Sequence, residues 1–220
     1  MDLLISILVS ILGSIATVFL GIFVRSSRYL RIGAMAVLGN AFNHCVAEHI
    51  DYSNVPSFID SELDKASDIR IIAGRGRFFD RTAFVNLAEA AKKRNKSIRI
   101  LLPCTKSQRD RVDWVAINEQ ELMKHNPGYG TRNSLREQIN NTANTLVQFE
   151  KKGLLYVRRF NTTHLGRFVI TENIALIVPY IGEKRGDTTS AYCYQNGTEI
   201  YKWFARIFEV TWHSSIPSRL

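Results

Sequence analysis

Cysteine is scarce in this chain. The three residues, Cys45, Cys104 and Cys193, are scattered and form no Cys-x-x-Cys pair. Such spacing excludes a disulfide framework and a zinc site, and it suits a reducing compartment. Neither a Gly-x-Ser-x-Gly elbow nor a Walker-type phosphate loop occurs. Cys104 follows Pro103 with no histidine predictably near, so serine and cysteine nucleophiles are set aside, and no metal or cofactor is expected. Acidic residues are short as well: 20 Asp and Glu stand against 29 Lys and Arg, a net charge of +9. Between Lys65 and Arg99, ten basic residues face only Asp68, Asp80 and Glu89. A length of 220 residues at 45% apolar content excludes a wholly disordered chain and a large multi-domain machine.

The clearest positive feature is at the amino terminus. Residues 3–24 carry no charge and no proline, and as a helix rising ~1.5 Å per residue they reach about 33 Å, enough to span a bilayer core. A secretory signal peptide fits less well, since only Asp2 precedes the run and no small-x-small site closes it. Arg25, Arg28 and Arg31 follow, and positive charge beside a span stays in the cytosol. The expectation is a single-pass protein of the inner membrane, amino terminus outside and main domain in the cytosol. The three arginines also suit anionic headgroups, each worth about 1 kcal/mol. Gly13 and Gly21, with Ser10, Ser14 and Thr17, form a small-residue stripe that suggests a homo-oligomer, a dimer or higher. Residues 25–56 read as a basic juxtamembrane segment and a connecting amphipathic helix, with Ala34, Val37, Leu38, Ala41, Phe42, Cys45, Val46, His49 and Ile50 on one face. On such a helix His44 and His49 diverge by about 140°, which disfavours a shared metal. His44 and Glu48 are expected to pair at the surface.

Residues 57–220 change to alternating helix and strand. A short helix through Phe58, Ile59, Leu63 and Ala66 precedes the strand DIRIIA, and GRGRFFDR forms a loop. A helix over 83–93 leads to the strand SIRILL, stopped by Pro103. Near-continuous apolar strands alternating with helices predict a parallel sheet covered on both faces. Residues 112–123 and 133–152 are expected to be helical, with Asn126-Pro127-Gly128 turning between them and Gly153 ending the second. Apolar runs at 154–160, 166–170 and 174–178 follow, the last two joined as a tight hairpin. An aromatic-rich helix over 199–209 closes the chain, its aromatics serving the core.

The order of elements in SFIDSELDKASDIRIIAGRGRFFDRTAFVNLAEAAKKRNKSIRILLP resembles the opening half-domain of phospholipase D-like proteins. The run YVRRFNTTHLGRFVITENIALIV resembles the hairpin on which that superfamily carries its catalytic histidine. The resemblance implies an α/β fold, a phospholipase D-like or Rossmann-like mixed sheet flanked by helices and preceded by one transmembrane helix. The family signature is His-x-Lys-x-x-x-x-Asp, a histidine nucleophile with a lysine on the phosphate, and two half-sites usually meet. His164 fits the histidine, but Gly166 stands at the lysine position and Thr171 at the aspartate position, with Glu172 one residue late. This is a single, degenerate half-site, and family logic requires two chains to pair across it. Arg167 supplies a nearby cation, yet on a strand it faces away from Gly166.

A phosphate-binding surface survives that degeneracy. Gly74, Arg75, Gly76 and Arg77 follow the carboxyl end of a strand, where ligands settle in open α/β sheets. Glycine amides there can approach an anion and arginines can clamp it. Arg81, Arg159, His164, Lys184 and Arg185 reach the same rim if the sheet is ordered as in the resembled fold. Lys92-Lys93-Arg94-Asn95-Lys96, by contrast, reads as ordinary surface at a helix end. The favoured expectation is a membrane-anchored sensor or effector that binds a nucleotide or other phosphate-bearing ligand and acts on the bilayer. This architecture resembles small membrane-anchored bacterial effectors of antiviral defence. The alternative is a dimeric membrane-tethered phosphodiesterase, a nuclease or phospholipase, using His164.

Overall fold

The computed structural model describes residues 47–91, 93–106, 112–125, 134–162, 166–180 and 189–217, the side chains of Arg77 and His125 excepted. The apolar run at 3–24, the three juxtamembrane arginines, His44, the Asn126-Pro127-Gly128 turn, His164, Lys184 and Arg185 lie outside the described residues. Among the described residues no helix is long and apolar enough to cross a membrane.

Residues His49–Leu220 form one compact unit. Its elements run β1 (Ala47–Ile50), α1 (Val55–Lys65), β2 (Asp68–Ile72), a 3-10 turn (Arg77–Asp80), α2 (Thr82–Ala91), β3 (Ser97–Pro103), α3 (Trp114–His125) and α4 (Leu135–Lys151). They continue with β4 (Tyr156–Phe160), β5 (Gly166–Thr171), β6 (Ile174–Pro179), β7 (Ala191–Gln195), α5 (Glu199–Ser214) and β8 (Ile216–Pro217). The eight strands make one sheet in the order β1-β7-β6-β5-β2-β3-β4-β8. Among the described residues parallel pairing is found in β2, β3 and β4, whereas β5, β6 and β7 run antiparallel. The sheet is therefore mixed, not parallel as the helix-strand alternation suggested, because the second half of the chain returns by hairpins instead of helical crossovers.

Local chemistry explains the boundaries. Pro56 opens α1, a position where its missing N–H costs nothing. The Ser134 side chain accepts from the Glu137 amide at 3.0 Å at the start of α4, and Thr198 does the same for Tyr201 at 3.2 Å in α5. Gly153, at φ +71, ends α4 as expected.

Residues of β2 alternate between two cores. Ile69 and Ile71 join Ile98, Ile100, Val157, Val169, Leu176 and Val178 under α1, α2 and α4. Ile72 joins Leu101, Phe160, Ile170 and Ala175 under α5, through Tyr201, Phe204 and Phe208. Among the described residues, three helices thus cover one face and a single helix the other. α3 packs on α4 through Trp114, Val115, Leu135 and Ile139.

The amphipathic helix expected to run through Ile50 is overturned at its end, where Ala47–Ile50 is a strand. Burial there alternates, with Glu48 and Ile50 buried and His49 exposed. That is a period of two, and four residues do not distinguish it from a helical period. Glu48 is buried, not at the surface as expected. Two further strands, β7 and β8, have no counterpart in the sequence reading.

Candidate functional site

Strand direction sets several chain segments along one rim of the sheet. β2, β3 and β4 run parallel, so their carboxyl ends at Ile72, Pro103 and Phe160 share one edge of the sheet. β5 begins at that edge, since Phe168 is opposite Ile72, and β6 ends there, with Pro179 opposite Gly166. The loop Gly74-Arg75-Gly76, Cys104, Thr105, Asn161 and Tyr180 all follow from these ends. His164 lies outside the described residues, two positions before β5.

The loop after β2 is held on two sides. The Gly74 N–H donates to the Tyr180 hydroxyl at 3.1 Å. Thr142 on α4 donates through Oγ1 to the Arg75 carbonyl at 3.0 Å. Gly76 has φ +91, and a Cβ added to it would stand 2.2 Å from the Thr142 methyl group. A side chain is excluded there twice, by the left-handed backbone and by α4. Gly76 therefore lets α4 approach the loop, while the Gly74 amide is held by Tyr180.

The arginines divide by environment. Arg167 and Val169 alternate onto the α1/α2/α4 face, and the Arg167 guanidinium lies 5.6 Å from the centre of the Phe78 ring. Arg81 approaches the same ring at 5.6 Å, so the two guanidinium carbons are at most twice that distance apart. Arg81 is also paired with Asp60 on α1. The Asp60 carboxyl is raised by burial, against the pull of Arg81. Arg159 shares the face of Val157 and donates through Nη1 to the Pro103 carbonyl at 3.1 Å. Burial pushes its guanidinium below the ordinary range, opposed by nearby Cys104. Arg75 follows Gly74 in the loop. The Arg77 backbone opens the 3-10 turn.

No family model and no curated protein matches this chain. Solved structures do. TrmBL2, an archaeal chromatin protein, is similar at 12% identity over 95% of this chain and 67% of its own, with a TM-score of 0.46. Nuc from Salmonella typhimurium, a phospholipase D family member, is similar at 14% identity over 79% of this chain and 97% of its own, TM-score 0.46. Phosphatidylserine synthase from Haemophilus influenzae is similar at 12% identity over 69% of this chain and 34% of its own, TM-score 0.42. Phospholipase D family members are thus among the structures this α/β chain resembles at low identity.

The signature positions have distinct environments. A Cβ on Gly166 would stand 2.6 Å from the Val178 carbonyl oxygen, so the lysine position has no room for a side chain. Thr171 and Glu172 lie at the other end of β5, in the turn to β6, beside the start of β2. Thr171 is five strand steps from Gly166, about 17 Å at 3.3 Å per residue, and Glu172 is one residue further. Glu172 accepts from the Ser67 amide at 2.8 Å, the Ser67 hydroxyl at 3.0 Å and the Asp68 amide at 3.2 Å. Burial acts to raise its carboxyl, but these bonds outweigh it and hold the group below the usual range. Glu172 fastens the hairpin to the head of β2, far from the rim.

Sequence reasoning did not find Tyr180, Thr142 or Phe78. Only Tyr180 left a trace, as an aromatic directly after the Ile174–Pro179 strand. Among the described residues no cluster of His, Cys, Asp and Glu could hold a metal ion.

Proposed function

We propose that the chain is a membrane-anchored sensor or effector whose α/β unit binds a phosphate-bearing ligand, a nucleotide or short oligonucleotide, at the carboxyl rim of β2, β3 and β4. What supports this reading is position along one sheet edge: Arg159 near the carboxyl end of β4, Arg167 near the start of β5, and the Gly74-Arg75 loop after β2. β4 and β5 are three strand spacings apart, about 14 Å, a span that suits more than one phosphate group. A guanidinium hydrogen-bonded to a neutral carbonyl, as Arg159 is, gains from an anion brought beside it. On this reading the run at 3–24 holds the unit on the cytosolic side of the inner membrane. Ligand capture rearranges packed copies of that helix and alters the bilayer, as an effector of antiviral defence would.

The second reading, a phosphodiesterase using His164 from two paired chains, is favoured only by the sequence position of His164, two residues before β5. It is weakened at Gly166, where no cation can be mounted to hold the non-bridging oxygens as charge moves to the leaving group. The two readings separate in one experiment on the full chain in detergent. Sensor function predicts saturable nucleotide binding without turnover, lost in Arg75→Ala plus Arg77→Ala; silence across a nucleotide panel removes it. Enzymatic function predicts hydrolysis of DNA, RNA or a generic phosphodiester, abolished by His164→Ala.

A further inference from the structure

One side-chain oxygen at the rim already takes the Gly74 N–H. Tyr180 follows β6, and its hydroxyl accepts the Gly74 N–H at 3.1 Å. Arg75 is the next residue of that loop. Arg167 is directly opposite Val178, and Tyr180, two residues beyond Val178, has the parity of the same face, within diagonal reach of Arg167. The Arg167 guanidinium is kept on that side by the Phe78 ring. Tyr180 is 36% exposed, so the ring has an outlet to solvent.

We propose that the Tyr180 hydroxyl occupies the oxygen subsite of the phosphate cradle, and that a terminal phosphate oxygen of the ligand displaces it to take the Gly74 N–H between Arg75 and Arg167. This rests on the reading of the rim as a phosphate site and adds to it a named subsite and a competing side chain. A phosphate oxygen is the better occupant on chemical grounds. It carries charge, which two guanidiniums favour, whereas a phenol hydroxyl is neutral at physiological pH. Displacement costs one neutral hydrogen bond, and a net hydrogen bond is worth about 1 kcal/mol, equivalent to a ~5-fold weakening of apparent affinity. Displacement also frees Tyr180 at the point where the chain leaves β6, which gives ligand capture a local conformational consequence.

Inorganic pyrophosphate, titrated by calorimetry into the full chain in detergent, tests the subsite. Wild type is compared with Tyr180→Phe, which keeps the ring and removes the competing oxygen, and with Arg167→Ala. The expected result is saturable binding by wild type, about 5-fold tighter binding by Tyr180→Phe, and loss of binding in Arg167→Ala. Binding by wild type with equal or weaker affinity in Tyr180→Phe overturns the displacement while leaving the rim as a phosphate site. Pyrophosphate binding by neither wild type nor Tyr180→Phe overturns the phosphate reading itself and the subsite with it. A second readout excludes a fold defect: the amide resonance of Gly74 shifts on Tyr180→Phe without ligand, and resonances of the β2–β3 pairing do not.

Discussion

At the scale of single residues, two left-handed glycines, one after β2 and one after α4, do different work. Gly76 sits at φ +91 against Thr142, so Gly76→Ala combines left-handed strain with overpacking and is expected to cost about 3 kcal/mol. Gly153 is also left-handed, but nothing lies within 4 Å of its added Cβ, and Gly153→Ala is expected to cost only about 1 kcal/mol. Denaturant unfolding of both variants checks the contrast, which equal losses would contradict. Glu172 makes a pH-dependent contribution. Its folded carboxyl titrates below the unfolded value, so the stability it provides is complete above the ordinary carboxylate range and is lost as pH falls through the depressed pKa. Glu172→Gln is expected to flatten that part of the acid limb; an unchanged pH profile of unfolding would show that the Ser67 and Asp68 bonds contribute nothing.

Lysines and arginines that are alike in sequence also separate here. In the run expected to be plain surface, Arg94 pairs with Asp64. Lys96 donates to the carbonyls of Leu63 at 3.2 Å and Asp64 at 2.7 Å, and to that of Ala66. It thereby closes the carboxyl end of α1 instead of its own helix. Ion pairing with a residue about 30 positions away leaves no mark in local sequence.

At the scale of elements, α5 is fixed by one carboxylate. Glu209 accepts two hydrogen bonds from Arg99 at 2.9 and 3.0 Å and lies 3.5 Å from Arg70, tying β2 and β3 to the helix. Arg99 also lies over Phe208 and Trp212 at 5.4 and 5.7 Å, and Arg158 over Trp212 at 5.1 Å. Because the pair is half-buried and bidentate, Glu209→Gln and Arg99→Met should each cost about 1–2 kcal/mol, with about 1 kcal/mol of coupling in the double variant. Strictly additive losses would mean that the bridge is replaceable by solvent.

Legibility followed element length. α1, α2, α4, α5, β2, β3 and the β5–β6 hairpin were readable because long apolar periods and caps mark them. α5 runs past Glu209 to Ser214, since polar residues of its last turn hide the continuation. β1 was misread as helix and β7, AYCYQ, was not seen. β1, at four residues, is too short for its period to speak, and β7 has the length of β2 without its run of isoleucines; the two pair with each other at the sheet edge. The site was legible in part. The carboxyl end of β2 follows from the chain order, whereas the meeting of Gly74 with Tyr180, over 106 positions, follows only from the antiparallel return of β6.

At the scale of the whole molecule, the proposed function needs both a membrane anchor at residues 3–24 and a phosphate site at the carboxyl rim. The first of these is checked by fractionation. The full chain is expected in the membrane pellet and to stay there through high-salt and carbonate washes, and removal of residues 3–24 should release it; a full chain in the soluble fraction would contradict the anchor. The rim is separated from general basic charge by position. Arg75 and Arg167 are at the sheet end, while Lys202 and Arg206 are exposed on α5, the helix that covers the other face. Both pairs carry the same charge, so the most direct test of the central claim is a nucleotide titration of the full chain that compares Arg75→Ala plus Arg167→Ala with Lys202→Ala plus Arg206→Ala. The account predicts that the first pair abolishes saturable binding and the second leaves the affinity within 2-fold, a difference below about 0.4 kcal/mol. Equal weakening by both pairs would mean that the ligand responds to overall charge, and the carboxyl rim would not be its site.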